Sequence, residues 1–112
     1  MKSQGKTAGF VRVCKLSDLS DPGMIVVRAG DRTVALFQVA GQLWATDDRC
    51  THDGGRLVAG RLEGCTVICP RHAARFDIRT GKALSPPASV DLAVHEVMVE
   101  GDDVLVRVSE DW

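Results

Sequence analysis

The chain has 112 residues, enough for one domain with a modest core. Its 14 Lys and Arg stand against 15 Asp and Glu, a formal charge of −1 that argues against nucleic-acid binding. The longest apolar stretches fall far short of a membrane span, and no low-complexity tract or internal repeat is present.

Residues 1–9 are polar and contain glycine, with no apolar run behind the lysines, so no targeting segment is read there. Residues 10–13, 24–28, 33–39 and 42–46 are short runs of apolar and β-branched residues, each reading as a strand. Asp21-Pro22-Gly23, Ala29-Gly30-Asp31-Arg32 and Ala40-Gly41 separate them as turns. Only residues 15–20 suggest a helical turn. Further on, residues 66–68 and 75–78 flank a short loop, and Thr80-Gly81-Lys82 turns the chain again. Residues 92–99 and 104–108 lie on either side of Glu100-Gly101-Asp102-Asp103 and read as a hairpin. Many short, closely spaced strands predict an all-β, antiparallel sandwich or barrel filling a single domain, 1–112.

Chemistry concentrates in two loops, Cys50-Thr51-His52 and Cys69-Pro70-Arg71-His72, each offering one thiolate and one imidazole. Two Cys and two His split in this way form the ligand set of a Rieske [2Fe–2S] centre, with both thiolates on one iron and both imidazoles on the other. Two ferric ions and two sulfides sum to about +2, so two thiolates and two neutral imidazoles leave an oxidised core near zero, where four thiolates would leave it near −2. A neutral centre accepts an electron more readily than a dianion, and its imidazoles can link reduction to proton uptake. The predicted role is electron transfer.

Structural zinc is the competing reading, but zinc modules pair their ligands as C-x2–4-C and H-x3–5-H, whereas both loops here are mixed. Cys14 and Cys65 read as small buried thiols in strands, and a four-cysteine cluster built from them with Cys50 and Cys69 lacks the plant-type spacing. His95 stands in an alternating apolar segment and reads as a packed strand residue. With His52 and His72 committed, no mononuclear iron triad remains, so no catalysis is expected from the chain alone. Glycines 54, 55, 60, 64 and 81 and the Pro86-Pro87 pair give residues 47–87 the composition of loops that approach a cluster closely.

Cys50-Thr51-His52-Asp53-Gly54-Gly55, Cys69-Pro70-Arg71-His72-Ala73-Ala74-Arg75-Phe76-Asp77 and Thr80-Gly81-Lys82-Ala83-Leu84-Ser85-Pro86-Pro87-Ala88 resemble the bacterial Rieske-type ferredoxins of aromatic-ring-hydroxylating dioxygenase systems. The resemblance runs from about Phe10 to Val108. It implies an antiparallel β-sandwich with a small cluster-binding subdomain at about 47–87, and one cluster per chain held by Cys50, His52, Cys69 and His72. It also implies two protein partners, a flavoprotein ferredoxin reductase fed by NAD(P)H and a terminal oxygenase. With two of its four cysteines committed to metal, the chain does not read as a secreted disulfide framework, and a cytoplasmic location is expected.

High-potential respiratory Rieske proteins differ from this sequence at several positions. Their inter-loop disulfide would need cysteines where Gly55 and Arg71 stand, and their sulfur-bonding serine and tyrosine fall at Ala74 and Phe76. Without those hydroxyls the reduced centre is less stabilised, which predicts a potential near the low end of the range, on the order of −150 mV. Many family members also carry glycine where Ala73 stands; if that position needs a positive φ, the methyl costs about 1 kcal/mol.

Charge is uneven along the chain. Arg49, Arg56, Arg61, Arg71 and Arg75 against Asp53 and Glu63 give residues 49–76 a net +3, while seven acids against Arg107 give residues 91–112 a net −6. A basic cluster end suits an acidic partner surface. The alternatives are a small subunit of an assimilatory nitrite reductase, which shares the fold, and a zinc-stabilised interaction module without redox chemistry.

Overall fold

The structure, a computed structural model, describes residues 9–49, 56–70, 73–86 and 90–108. Among them are β1 (Val11–Lys15), β2 (Gly23–Ala29), β3 (Arg32–Val39), β4 (Gln42–Asp47), β5 (Arg61–Glu63), β6 (Thr66–Ile68), β7 (Arg75–Asp77), β8 (Val94–Glu100) and β9 (Asp103–Arg107). All their pairings are antiparallel. Six strands run in the order β1-β9-β8-β4-β3-β2, and β5-β6-β7 form a separate small sheet. Two 3-10 turns complete the inventory, Leu16–Asp18 inside the expected helical segment and Leu57–Ala59, which was not expected. No helix among the described residues is long and apolar enough to cross a membrane.

β3 explains how the two sheets are joined. Its run Val34-Ala35-Leu36-Phe37 is apolar without alternation, the signature of a strand covered on both faces, and all four residues are fully buried. Because side chains alternate, Val34 and Leu36 enter a core with Leu19, Val27, Ala45, Val104 and Val106. Ala35 and Phe37 enter a second core with Leu57, Val67, Cys69, Ala74 and Phe76. The strand is therefore a shared wall between the sandwich interior and the small sheet. Burying Val34, Leu36 and Phe37 contributes roughly 1.5–3 kcal/mol each, which makes β3 the element that fixes one unit against the other.

β8 joins the two halves of the sandwich. Its start pairs with β4 through Ala45↔His95 and Thr46↔Val94, and the remainder pairs with β9 from Glu96↔Arg107 to Glu100↔Asp103. The strand begins at Val94, two residues later than the apolar pattern suggests, because Leu92 instead packs into the second core and donates its N–H to Gly81 O at 2.7 Å. The β3–β4 hairpin turns through Ala40 and Gly41 at φ 52° and 79°, a pair of left-handed residues as a two-residue I′ turn requires. Asp21 accepts both their N–H groups, at 2.9 and 2.7 Å, and so holds the turn from outside.

Candidate metal centre

The second predicted ligand loop is the closed end of the β6–β7 hairpin. Its register is Thr66↔Asp77, Val67↔Phe76 and Ile68↔Arg75. One rung further, the Cys69 N–H donates to Ala74 O at 2.8 Å. By alternation Val67 and Cys69 share a face with Ala74 and Phe76, and none of the four is more than 1% exposed. They pack with Phe37, Leu57, Ile78 and Leu92. Cys69 therefore stands at the mouth of a rigid hairpin against an apolar wall. Ala73 has φ 55°, so the condition attached to its departure from the family pattern is met and its methyl is strained.

The first predicted loop is described only through its flanks. Upstream, β4 ends at Asp47, and the buried Asp48 accepts the Val58 N–H on Oδ1 at 3.0 Å. Downstream, Leu57 is fully buried in the core that holds Cys69. Gly60 follows, and a Cβ there would lie 1.9 Å from Ile68 O, a contact only glycine avoids. This close approach lays residues 59–61 along the second hairpin and forms a groove of about 300 Å3 with Ile68, Cys69, Pro70 and Ala73. The flank of one loop thus lies beside the cysteine of the other. Of the predicted ligands only Cys69 is placed; Cys50, His52 and His72 lie outside the described residues, as do Gly55 and Arg71.

The other sulfur and imidazole groups have structural surroundings. Cys14 is half-buried in β1 against the sandwich core, and burial first, then Asp18, pushes its thiol up, away from the thiolate a metal needs. Cys65 is not in a strand as expected. It sits in the turn between β5 and β6, partly buried, and its carbonyl accepts the Ile78 N–H at 2.9 Å. His95 is a packed strand residue, with its Nε2 2.8 Å from Asp47 Oδ1. The same carboxylate oxygen accepts from Arg32 Nη2 at 3.0 Å, a pairing invisible in the sequence because its members come from β3, β4 and β8.

The arginines divide into two groups. Arg61 Nε and Arg75 Nη1 approach the two oxygens of Glu63 at 3.1 and 3.5 Å, and these hydrogen bonds, Arg61's first, hold that carboxyl below the usual range. Arg49 and Arg56 are exposed and make no ion pair among the described residues; both line a groove of about 350 Å3 that also includes Arg32, Asp31 and Asp47. Arg71 lies outside the described residues.

A sequence profile of the Rieske [2Fe-2S] domain matches residues 9–106. The chain belongs to the Rieske [2Fe–2S] domain family. Among curated relatives, the ferredoxin component of the naphthalene 1,2-dioxygenase/salicylate 5-hydroxylase systems of Ralstonia sp is 34% identical over 102 residues, covering 91% of this chain and 98% of that one. The biphenyl 2,3-dioxygenase ferredoxin component of Rhodococcus jostii (strain RHA1) is 40% identical over 97 residues, covering 87% and 91%. A chain from the complex of reduced oxygenase and oxidized ferredoxin in carbazole 1,9a-dioxygenase superposes with a TM-score of 0.85 at 34% identity, covering 93% of this chain and 97% of that one. This Rieske protein is accordingly of the ferredoxin type, an electron carrier rather than a catalyst on its own, as its sequence implied.

Membership brings a Rieske-type iron–sulfur cluster as the cofactor, and the residues around Cys69 suit it. An oxidised core ligated by two thiolates and two neutral imidazoles is near neutral overall, so an apolar wall of Leu57, Ala74 and Phe76 imposes little of the desolvation cost that a dianionic four-cysteine core would meet.

Proposed function

We propose that this Rieske ferredoxin carries one electron at a time on a single [2Fe–2S] cluster per chain, bound by Cys50 and Cys69 on one iron and by His52 and His72 on the other. On this reading, residues 1–112 act as one domain with a cluster-binding subdomain at about 47–87. Electrons arrive from a flavoprotein reductase fed by NAD(P)H and leave to a terminal ring-hydroxylating oxygenase.

The observation that carries the reading is Cys69, buried at the mouth of the β6–β7 hairpin with Ala74 directly across the last rung. That geometry supplies a fixed sulfur position in a water-poor setting. Neither Ala74 nor Phe76, both on the Cys69 face, offers sulfur a hydroxyl donor, and the reduced form is accordingly less stabilised, which supports a potential on the order of −150 mV. Such a potential suits an acceptor of electrons from reduced flavin. The partner assignment draws on the names of the relatives and on the oxygenase–ferredoxin complex among the structural neighbours. A carrier fed by a nicotinamide-dependent flavoprotein works where its reductant is, and we place it in the cytoplasm on that ground. The exposed Arg49 and Arg56 beside the first loop supply steering toward an acidic partner.

Anaerobic purification, dithionite reduction and EPR, with iron and acid-labile sulfide analysis, test the centre. About two irons and two sulfides per chain and a rhombic spin-½ signal, with average g below that of all-cysteine ferredoxins, are expected. Zinc without sulfide in an EPR-silent sample overturns it. Stopped-flow transfer to a purified terminal oxygenase then tests the direction of flow.

A further inference from the structure

Asp48 is the last residue before the first ligand loop that the fold buries, at 6% exposure, between fully buried Thr46 and exposed Arg49. Its backbone N–H donates to Thr33 O at 3.3 Å, which ties it to the start of β3. Its side-chain Oδ1 accepts the Val58 N–H at 3.0 Å. That donor belongs to the first turn of the Leu57–Ala59 segment, whose N-cap, Arg56, makes no side-chain cap. One carboxylate therefore spans residues 49–57, the stretch with Cys50 and His52, and fastens its far end one residue from Leu57, which shares a core with Cys69.

The other carboxylate oxygen gives an independent indication. Asp48 Oδ2 is buried and is the sole orphan among the buried side-chain polar atoms of the described residues. A buried polar atom left unpaired carries its desolvation cost with nothing to offset it, so this side chain is not the most stable choice for its position. A local rule broken without compensating stability is characteristic of functional sites.

We propose that Asp48 is a positioning residue that fixes the first ligand loop relative to Cys69, acting through the reach of its side chain to Val58 rather than through its charge. The proposal rests on the ligand assignment given under the proposed function. Two substitutions in the full holoprotein separate reach from charge. Asp48→Asn keeps the length and an oxygen for the Val58 N–H but removes the charge; Asp48→Glu keeps the charge and adds a methylene. Asp48→Asn is expected to retain the wild-type EPR line shape and rate of iron loss to a chelator. Asp48→Glu is expected to change the g-values and to lose iron about tenfold faster, the effect of disturbing a residue behind a ligand. A wild-type spectrum in Asp48→Glu, or an altered one in Asp48→Asn, overturns the proposal. Wild-type protein without a [2Fe–2S] signal would sink the ligand assignment itself, before either variant is made.

Discussion

Ala73 shows how a single methyl burdens a ligand loop. Its φ of 55° is comfortable for glycine and strained for alanine, and it stands next to the proposed ligand His72. Replacing it with glycine relieves about 1 kcal/mol of strain, partly offset by the greater freedom of glycine in the unfolded chain. Ala73→Gly is therefore expected to leave the midpoint potential unchanged and to raise or hold the denaturation midpoint; a clear drop in urea unfolding would mean the alanine is not strained. Across the same hairpin, Ala74 is fully buried opposite Cys69. A serine there places a hydroxyl beside the proposed sulfur ligand, and a hydrogen bond that strengthens on reduction by about 1 kcal/mol raises the potential by tens of millivolts. Protein-film voltammetry on Ala74→Ser reads this directly. An unchanged midpoint would show that position 74 does not face sulfur.

Most elements were legible in the sequence because their burial follows a simple period. β3 reads as continuous apolar sequence because it is a wall of two cores, and β6 and β7 were found from their β-branched and apolar rungs. β5 was missed because Arg61-Leu62-Glu63 has one inward residue between two charged ones, too short a pattern to count. Cys65 was misplaced for a related reason: Gly64 at φ 58° turns the chain just before it, and a lone glycine between two short strands reads equally well as part of a strand. For the candidate centre, the ligand types and spacing were visible, whereas Asp48 and the Glu63 pairing were not, since both depend on contacts across the fold. The turn after β7 gives a testable pH dependence. Asp77 accepts Arg79 N at 2.8 Å and Arg79 Nη2 at 3.0 Å, and these bonds, the side-chain ones foremost, hold its carboxyl below the usual range. A depressed folded-state pKa means the stabilisation is complete above the unfolded carboxylate value, about 3.9. It is then lost as pH falls through the lower folded value. Asp77→Asn is expected to lower stability by about 1 kcal/mol at neutral pH, with the gap to wild type closing under acid; a gap independent of pH would discount the ion pair.

At the scale of the molecule, charge is uneven from one end to the other. β8 starts beside β4 near the ligand-loop end and runs away from it to the acidic β8–β9 turn. Pairing trims the sequence totals: Asp103 is engaged by Arg12 and Lys15 and Glu96 by Arg107, leaving Glu100 and Asp102 to mark the far end. At the near end, Arg61, Glu63 and Arg75 together present one net positive charge, while Arg49 and Arg56 present two that make no ion pair among the described residues. Long-range attraction follows net charge, but a contact needs an unoccupied guanidinium fork. Reversing both, as Arg49→Glu with Arg56→Glu, is expected to slow second-order electron transfer to an oxygenase about tenfold at low salt and to flatten its dependence on ionic strength. Arg61→Gln, which removes a charge already shared with Glu63, should cost less than about a quarter of that effect on a logarithmic scale, the share its single charge would take from the overall field. The double variant changes both flanks of the first loop and Arg61→Gln changes β5, so stopped-flow rates measured from low to physiological salt separate docking from general attraction. Losses in proportion to the charge changed, four units against one, would assign the arginines to the overall field alone, and a wild-type rate insensitive to salt would remove steering from the account.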